Sequence, residues 1–172
     1  KEAVYRPDWH DARRVEYTTA VAEVLASLPT AAEETSISTS PGSFKAFGAA
    51  DPERIAAHLA DVAAALHMIE MQFERTITLA VEPEPGCTFA TVEEWITFAN
   101  RHLLGKTHRA LEALKPGNRE FQESILRKHI GLCLDTCHLA VEYENPEQAL
   151  ARMAAEGLRV TKMQISNALS IE

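Results

Sequence analysis

Apolar residues recur along this chain with two alternating periods. Over residues 11–28 the apolar positions Val15, Ala22, Leu25 and Leu28 fall among charges at helical spacing, and Pro29 stops the run. Residues 35–39, TSIST, are short and β-branched and close on Pro41-Gly42, which predicts a strand and a loop. Residues 52–72 give the strongest helical signal. Asp51 serves as N-cap, Pro52 takes the first helical position, and Ile55, Leu59, Val62, Leu66 and Ile69 form one stripe.

The second half repeats the alternation. TITLAVE, residues 76–82, predicts a strand with a hard stop at PEPG. Thr91 caps a helix from Val92 to about Leu104, and Lys115-Pro116-Gly117-Asn118 turns the chain into a helix over 119–128. IGLCLD, residues 130–135, is the third strand. Pro146 opens a helix that Gly157 ends, and RVTKMQIS, residues 159–166, is the fourth strand. Strands separated by helices predict parallel βα units. Two architectures satisfy that pattern, an open doubly wound sheet and a closed (β/α)8 barrel. No Gly-rich phosphate loop follows any strand, so the dinucleotide-binding version lacks its fingerprint. A full barrel takes roughly 250 residues and eight strands. About four βα units are present, so the expectation is a single domain over 1–172 forming a partial (β/α)8 TIM barrel, without its first strands and its last. Missing termini or a second copy of the chain would each complete it, since a four-strand piece leaves two raw sheet edges.

Composition narrows the function classes. The chain has 172 residues, 46% hydrophobic and 24% charged, an ordinary globular balance. Its formal net charge of -8 repels phosphate backbones and anionic membrane surfaces, so nucleic acid is not an expected partner. No apolar run approaches the roughly 20 residues of a membrane span. The opening KEAVYRPDW is charged and aromatic rather than a signal peptide, and it lacks Met, which suggests trimming or an incomplete sequence. Cys87, Cys133 and Cys137 are an odd number and fit free thiols in a reducing compartment. The expectation is a soluble cytoplasmic protein.

The candidate chemistry lies at the strand ends, where parallel α/β folds carry their reactive groups. Those ends read VEPEP, LDTCH and MQISN. With the bulky face of each strand turned to the helices, Glu82, Asp135 and Gln164 point to one inner mouth, and Lys162 shares the face of Gln164. His138, three residues past Asp135, can curl back over it. Oxygen ligands with one or two nitrogens suit Mn²⁺, Mg²⁺ or Co²⁺, or Zn²⁺ if more histidines join. Such an ion would polarise a sugar carbonyl or hydroxyl and stabilise an enediolate-like intermediate, with neighbouring carboxylates moving the proton.

The segment LDTCH closely resembles the Leu-Asp-Thr-Gly-His signature of sugar isomerases and epimerases in the xylose isomerase-like superfamily. VEPEPGC before it and KMQISNAL after it fall in the right order, and together with CLDTCHLAVEYE they resemble the Ebo-type metabolite traffic proteins of that superfamily. The resemblance extends from YRPDW to the last strand. It implies that Glu82 and Asp135 match metal ligands and that His138 matches a substrate-contacting residue, or a second-metal ligand as in the nuclease members. Two departures accompany it: Gln164 stands where the isomerases place a metal-binding histidine, and the final-strand glutamate has no counterpart.

Three functions follow as expectations. The first is a divalent-metal-dependent isomerase or epimerase of a sugar or sugar phosphate. Glu82, Asp135 and Gln164 would hold the ion, Glu82 and His138 would take part in the chemistry, and His138, Glu84, Lys162 and Asn167 would contact substrate. The second is a binding or traffic protein for a carbohydrate-like small molecule that keeps the pocket without turnover. The third, a nuclease-like barrel, needs more strand-end histidines and a less acidic chain. Beside these stand plainer expectations. Glu84 rivals Glu82, Cys133 fills the interior, Trp9 and Trp95 pack, and Lys45 is exposed. His58 and His67 are surface or boundary positions, and His102, His108 and His129 carry no signal.

Overall fold

A computed structural model describes residues 2–30 and 32–166. Four parallel strands form one sheet in sequential order: β1 (Glu34–Thr39), β2 (Thr76–Val81), β3 (Ile130–Asp135) and β4 (Val160–Gln164). Seven α-helices accompany them among the described residues: α1 (Ala12–Ser27), α2 (Pro52–Phe73), α3 (Val92–Phe98), α4 (Arg109–Leu114), α5 (Arg119–His129), α6 (Thr136–Val141) and α7 (Pro146–Ala155). None is long and apolar enough to cross a membrane.

The strands follow the alternation in their sequences. Ile77, Leu79 and Val81 of β2, with Ile130, Leu132 and Leu134 of β3, join the apolar core on the helix side. Ser36, Ser38, Thr78, Ala80, Gly131 and Cys133 occupy the other face, as the pairing Ser36↔Thr78, Ser38↔Ala80, Ala80↔Gly131 requires. That second face is concave. Three strand spacings of about 4.8 Å would set β1 and β4 about 14 Å apart in a flat sheet. Instead Lys162 Nζ on β4 donates to Ser38 Oγ on β1 at 2.5 Å. At the other end of the strands, Arg159 Nη2 reaches both carboxylate oxygens of Glu34 at 2.9 and 2.8 Å. The sheet is therefore a curled half-barrel arc lined by small and polar side chains.

A bulge in β4 sets which residues face this interior. Pairing runs Leu132↔Val160 and then Cys133↔Lys162, so Thr161 is an extra residue on β4. The slip brings Lys162 and Gln164 onto the face of Cys133 and Asp135, with Met163 and Ile165 left exposed.

The long helix α2 is the main cover of the arc. Asp51 caps it by accepting from the Glu53 and Arg54 amides, and it buries Ile55, Leu59, Val62, Leu66 and Ile69, the predicted stripe. Each such side chain contributes about 1.5–3 kcal/mol on full burial. Alanines 56, 60, 63 and 64 are buried with them. The same helix packs against α1, where Ala22 and Ala26 are buried.

Three local features depart from the sequence pattern. The helix expected to run to Leu104 ends at Phe98 and widens into a π turn over Ala99–Leu103, closed by Leu104 N–H on Ala99 O at 2.7 Å. The wider turn lets Phe98, Ala99, Leu103 and Leu104 all reach the core. Helices α4 and α6 were not anticipated. Each is six residues long and buries a single side chain, Leu111 or Leu139, so neither leaves a periodic stripe to read.

Candidate metal and substrate site at the strand ends

Glu82 follows β2 directly and extends its pairing, its amide donating to Thr39 O at 3.0 Å. Its carboxylate turns into the mouth of the arc. Asp135 ends β3 and caps α6, with Oδ1 accepting from the Cys137 amide at 2.8 Å and from Ser166 Oγ at 2.5 Å. Burial works to raise the Asp135 carboxyl, but the Ser166 hydroxyl and the Cys137 amide outweigh it and hold it below the usual range, so it is ionised at neutral pH.

Gln164 lies between the two acids. Its amide nitrogen donates to Glu82 Oε1 at 2.8 Å and to Asp135 Oδ2 at 3.0 Å. Two carboxylates can only accept, so the nitrogen must face them and the amide oxygen must point away. Gln164 thus meets the predicted site as a donor to the acids rather than with its oxygen turned to an ion.

His138 does curl back. One turn into α6, its Nδ1 stands 3.0 Å from Pro83 O and 3.6 Å from Glu82 Oε1. A carbonyl accepts only, so neutral His138 carries its proton on Nδ1 and keeps the Nε2 lone pair for another group. Glu82, Asp135 and His138 offer ligand atoms that all lie within 4.8 Å of one another.

The remaining candidates separate. Glu84 does not join the Glu82, Asp135 and His138 cluster; it accepts from Tyr5 OH at 2.7 Å, an interaction that with burial pushes the phenol up to about 12. Lys162 does line the interior, one inward position before Gln164, where it holds Ser38. Asn167 lies outside the described residues. Cys133 is buried inside the arc, and burial followed by the nearby Glu82 charge pushes its thiol up to about 12, which suits packing rather than nucleophilic chemistry. Trp9 and Trp95 are buried and Lys45 is exposed, as expected.

Two participants had no sequence signal. Ser166 grips Asp135 through a hydroxyl, and Thr136 pins the end of β4, its hydroxyl donating to Ser166 O at 2.7 Å and accepting from Ser166 N at 2.9 Å. A serine past a strand reads as loop until the chain returns beside Asp135. His108 and His129, which carry no signal in the sequence, are both buried, at 8% and 0% exposure.

Compared with models of known families, with curated proteins and with solved structures, the chain matches none of them.

Proposed function

We propose that the strand-end mouth is a divalent-cation site of the xylose isomerase-like type and that it serves isomerisation or epimerisation of a sugar or sugar-phosphate substrate. The observation that carries this reading is the convergence of Glu82, Asp135 and His138 to within 4.8 Å. The two carboxylates fit a hard divalent ion, with the His138 imidazole beside them for substrate. Lys162 donates to Ser38, and among the described residues no ion pair joins it to either acid. A bound ion of this class supplies the positive charge that stabilises oxygen anions formed next to a labile C–H bond.

The protein's own groups supply the rest. Asp135 stays ionised because Ser166 and the Cys137 amide hold its Oδ1, leaving Oδ2 for the mouth. His138 presents Nε2 as an acceptor for a substrate hydroxyl while Pro83 O fixes its ring. Glu82 has one oxygen within reach of both Gln164 and His138, and this contact with His138 supports a role for it in exchanging a proton with substrate. The hydroxyl- and amine-lined arc, with Ser36, Ser38, Thr78 and Lys162, suits a polyol or its phosphate.

Gln164 favours a second reading. By donating to both acids it occupies the space between them without bringing charge, as a non-catalytic carbohydrate-binding or traffic site would use it. Titration with Mn²⁺ followed by loss of the free-ion EPR signal separates the two. Wild type should bind Mn²⁺, Asp135→Asn should weaken binding at least about 10-fold, and Gln164→His should tighten it. Solvent deuterium should then enter the C–H next to the carbonyl of an accepted aldose or ketose. Identical Mn²⁺ affinity in wild type and Asp135→Asn would sink the metal reading, and Mn²⁺ binding without exchange would leave the binding protein.

A further inference from the structure

We propose that His67, Glu70 and His129 form a second metal site, for a divalent ion of the zinc class, at the end of the sheet opposite Glu82 and Asp135. Their ligand atoms also lie within 4.8 Å of one another. His67 and Glu70 sit three residues apart on α2 and so share a face, and His129 is the last residue of α5, just before β3. Thr76 and Ile77, at the start of β2, bond to this cluster, and Glu82 lies roughly 16 Å further along the strand direction.

The strongest sign is an unpaired lone pair. His129 has no exposed surface, and its Nδ1 stands 2.9 Å from Ile77 O. That carbonyl accepts, so the proton sits on Nδ1 and neutral Nε2 is a bare acceptor. Nε2 is buried without a hydrogen-bond partner, yet it lies 3.4 Å from Glu70 Oε2. Two lone pairs facing each other in a buried position repel unless a proton or a cation stands between them.

The geometry suits an ion. Zinc holds imidazole nitrogen and carboxylate oxygen at about 2.0–2.2 Å in a tetrahedron, which puts two ligand atoms about 3.4 Å apart, the separation found here. The outer contacts are also those of a metal ligand set. The Ile77 carbonyl orients His129, while Thr76 Oγ1 at 2.5 Å and Lys128 Nζ at 2.7 Å occupy Glu70 Oε1 and leave Oε2 to coordinate. His67 completes the set from the half-buried side, its ring centroid 6.1 Å from that of His129, and leaves the fourth position to water. Lys128 works against the cation and sets a limit on affinity. The site would tie α2 to the α5–β3 junction and to the start of β2.

Calorimetric titration with Zn²⁺ tests this in the full chain carrying Glu82→Gln and Asp135→Asn, which silences the strand-end cluster. The expected result is one Zn²⁺ per chain and a rise in Tm on adding it. Adding His67→Ala or Glu70→Gln should weaken binding at least about 100-fold, more than loss of an outer-shell partner. Both residues are half-buried, and far-UV circular dichroism in EDTA verifies that each variant is folded. Co²⁺ should give the intense visible bands of a tetrahedral site in the parent and lose them in Glu70→Gln. Failure of Zn²⁺ to bind the parent, or undiminished binding by both folded variants, would overturn the proposal without touching the strand-end reading.

Discussion

Gly131 carries no side chain because the bulged Thr161 occupies the space one would need. A Cβ at Gly131 would stand 2.4 Å from Thr161 Cγ2 and 3.0 Å from the Arg159 carbonyl. The backbone carbonyl cannot yield, and moving Thr161 means moving the bulge that orients Lys162 and Gln164. Gly131→Ala should therefore destabilise the fold by about 1–3 kcal/mol, as overpacking does, read as a lower urea midpoint. It should also weaken Mn²⁺ binding, since Gln164 and Asp135 pair only downstream of the bulge. Gly131→Ala with Thr161→Gly should recover much of the loss, because the second change removes the clashing side chain.

At the scale of elements, side-chain caps start the helices that position both clusters. Asp51 accepts two amides at the start of α2, Thr91 and Glu94 form a reciprocal capping box on α3, and Asn118 and Asn145 cap α5 and α7. Helix α2 carries His67 and Glu70 on its C-terminal half, so its start bears on stability more than on site geometry. Asp51→Ala should cost about 1 kcal/mol in chemical denaturation, with the Zn²⁺ affinity of the His67 cluster unchanged. The short α6 behaves differently, because its cap is Asp135 itself. Removing that carboxylate loosens the helix that carries His138, so metal and histidine effects at the mouth are coupled rather than additive.

Across the whole molecule, the N-terminal segment straps the β1 loop to α2. Trp9 Nε1 donates to Thr39 Oγ1 and Ser40 O, the Asp51 amide donates to His10 Nε2, and Ser43 Oγ donates to Asp8 Oδ2 at 2.6 Å. Burial works to raise the Asp8 carboxyl, but Ser43 and the His10 amide outweigh it and hold it below its ordinary value of 3.8. A carboxyl depressed in the folded state stabilises fully above its unfolded pKa and loses that contribution as pH falls through the folded one. Asp8→Asn should therefore be less stable than wild type at neutral pH and lose less stability on acidification below about pH 4, as measured by thermal melts across that range in EDTA. Asp135 pulls in the same direction, so part of the acid slope should remain in the variant.

Local chemistry alone determined the four strands and the helices α1, α2, α5 and α7, since each depends on the period of a short segment or on a cap beside it, and their alternation predicted a parallel sheet while leaving its order open. It also placed Glu82, Asp135 and Gln164 on one face, because side-chain parity along a strand is a local property. The tertiary structure decided the rest. The curl that joins Lys162 to Ser38, the bulge at Thr161 and the close of α3 as a π turn all answer to neighbours distant in sequence. Glu84 is held by Tyr5, 79 residues away in sequence, while Glu82 lies beside Asp135 and His138. His67 and His129 look like unrelated residues on two helices, and only the packing of α2 against α5 brings them, with Glu70, around one unpaired nitrogen.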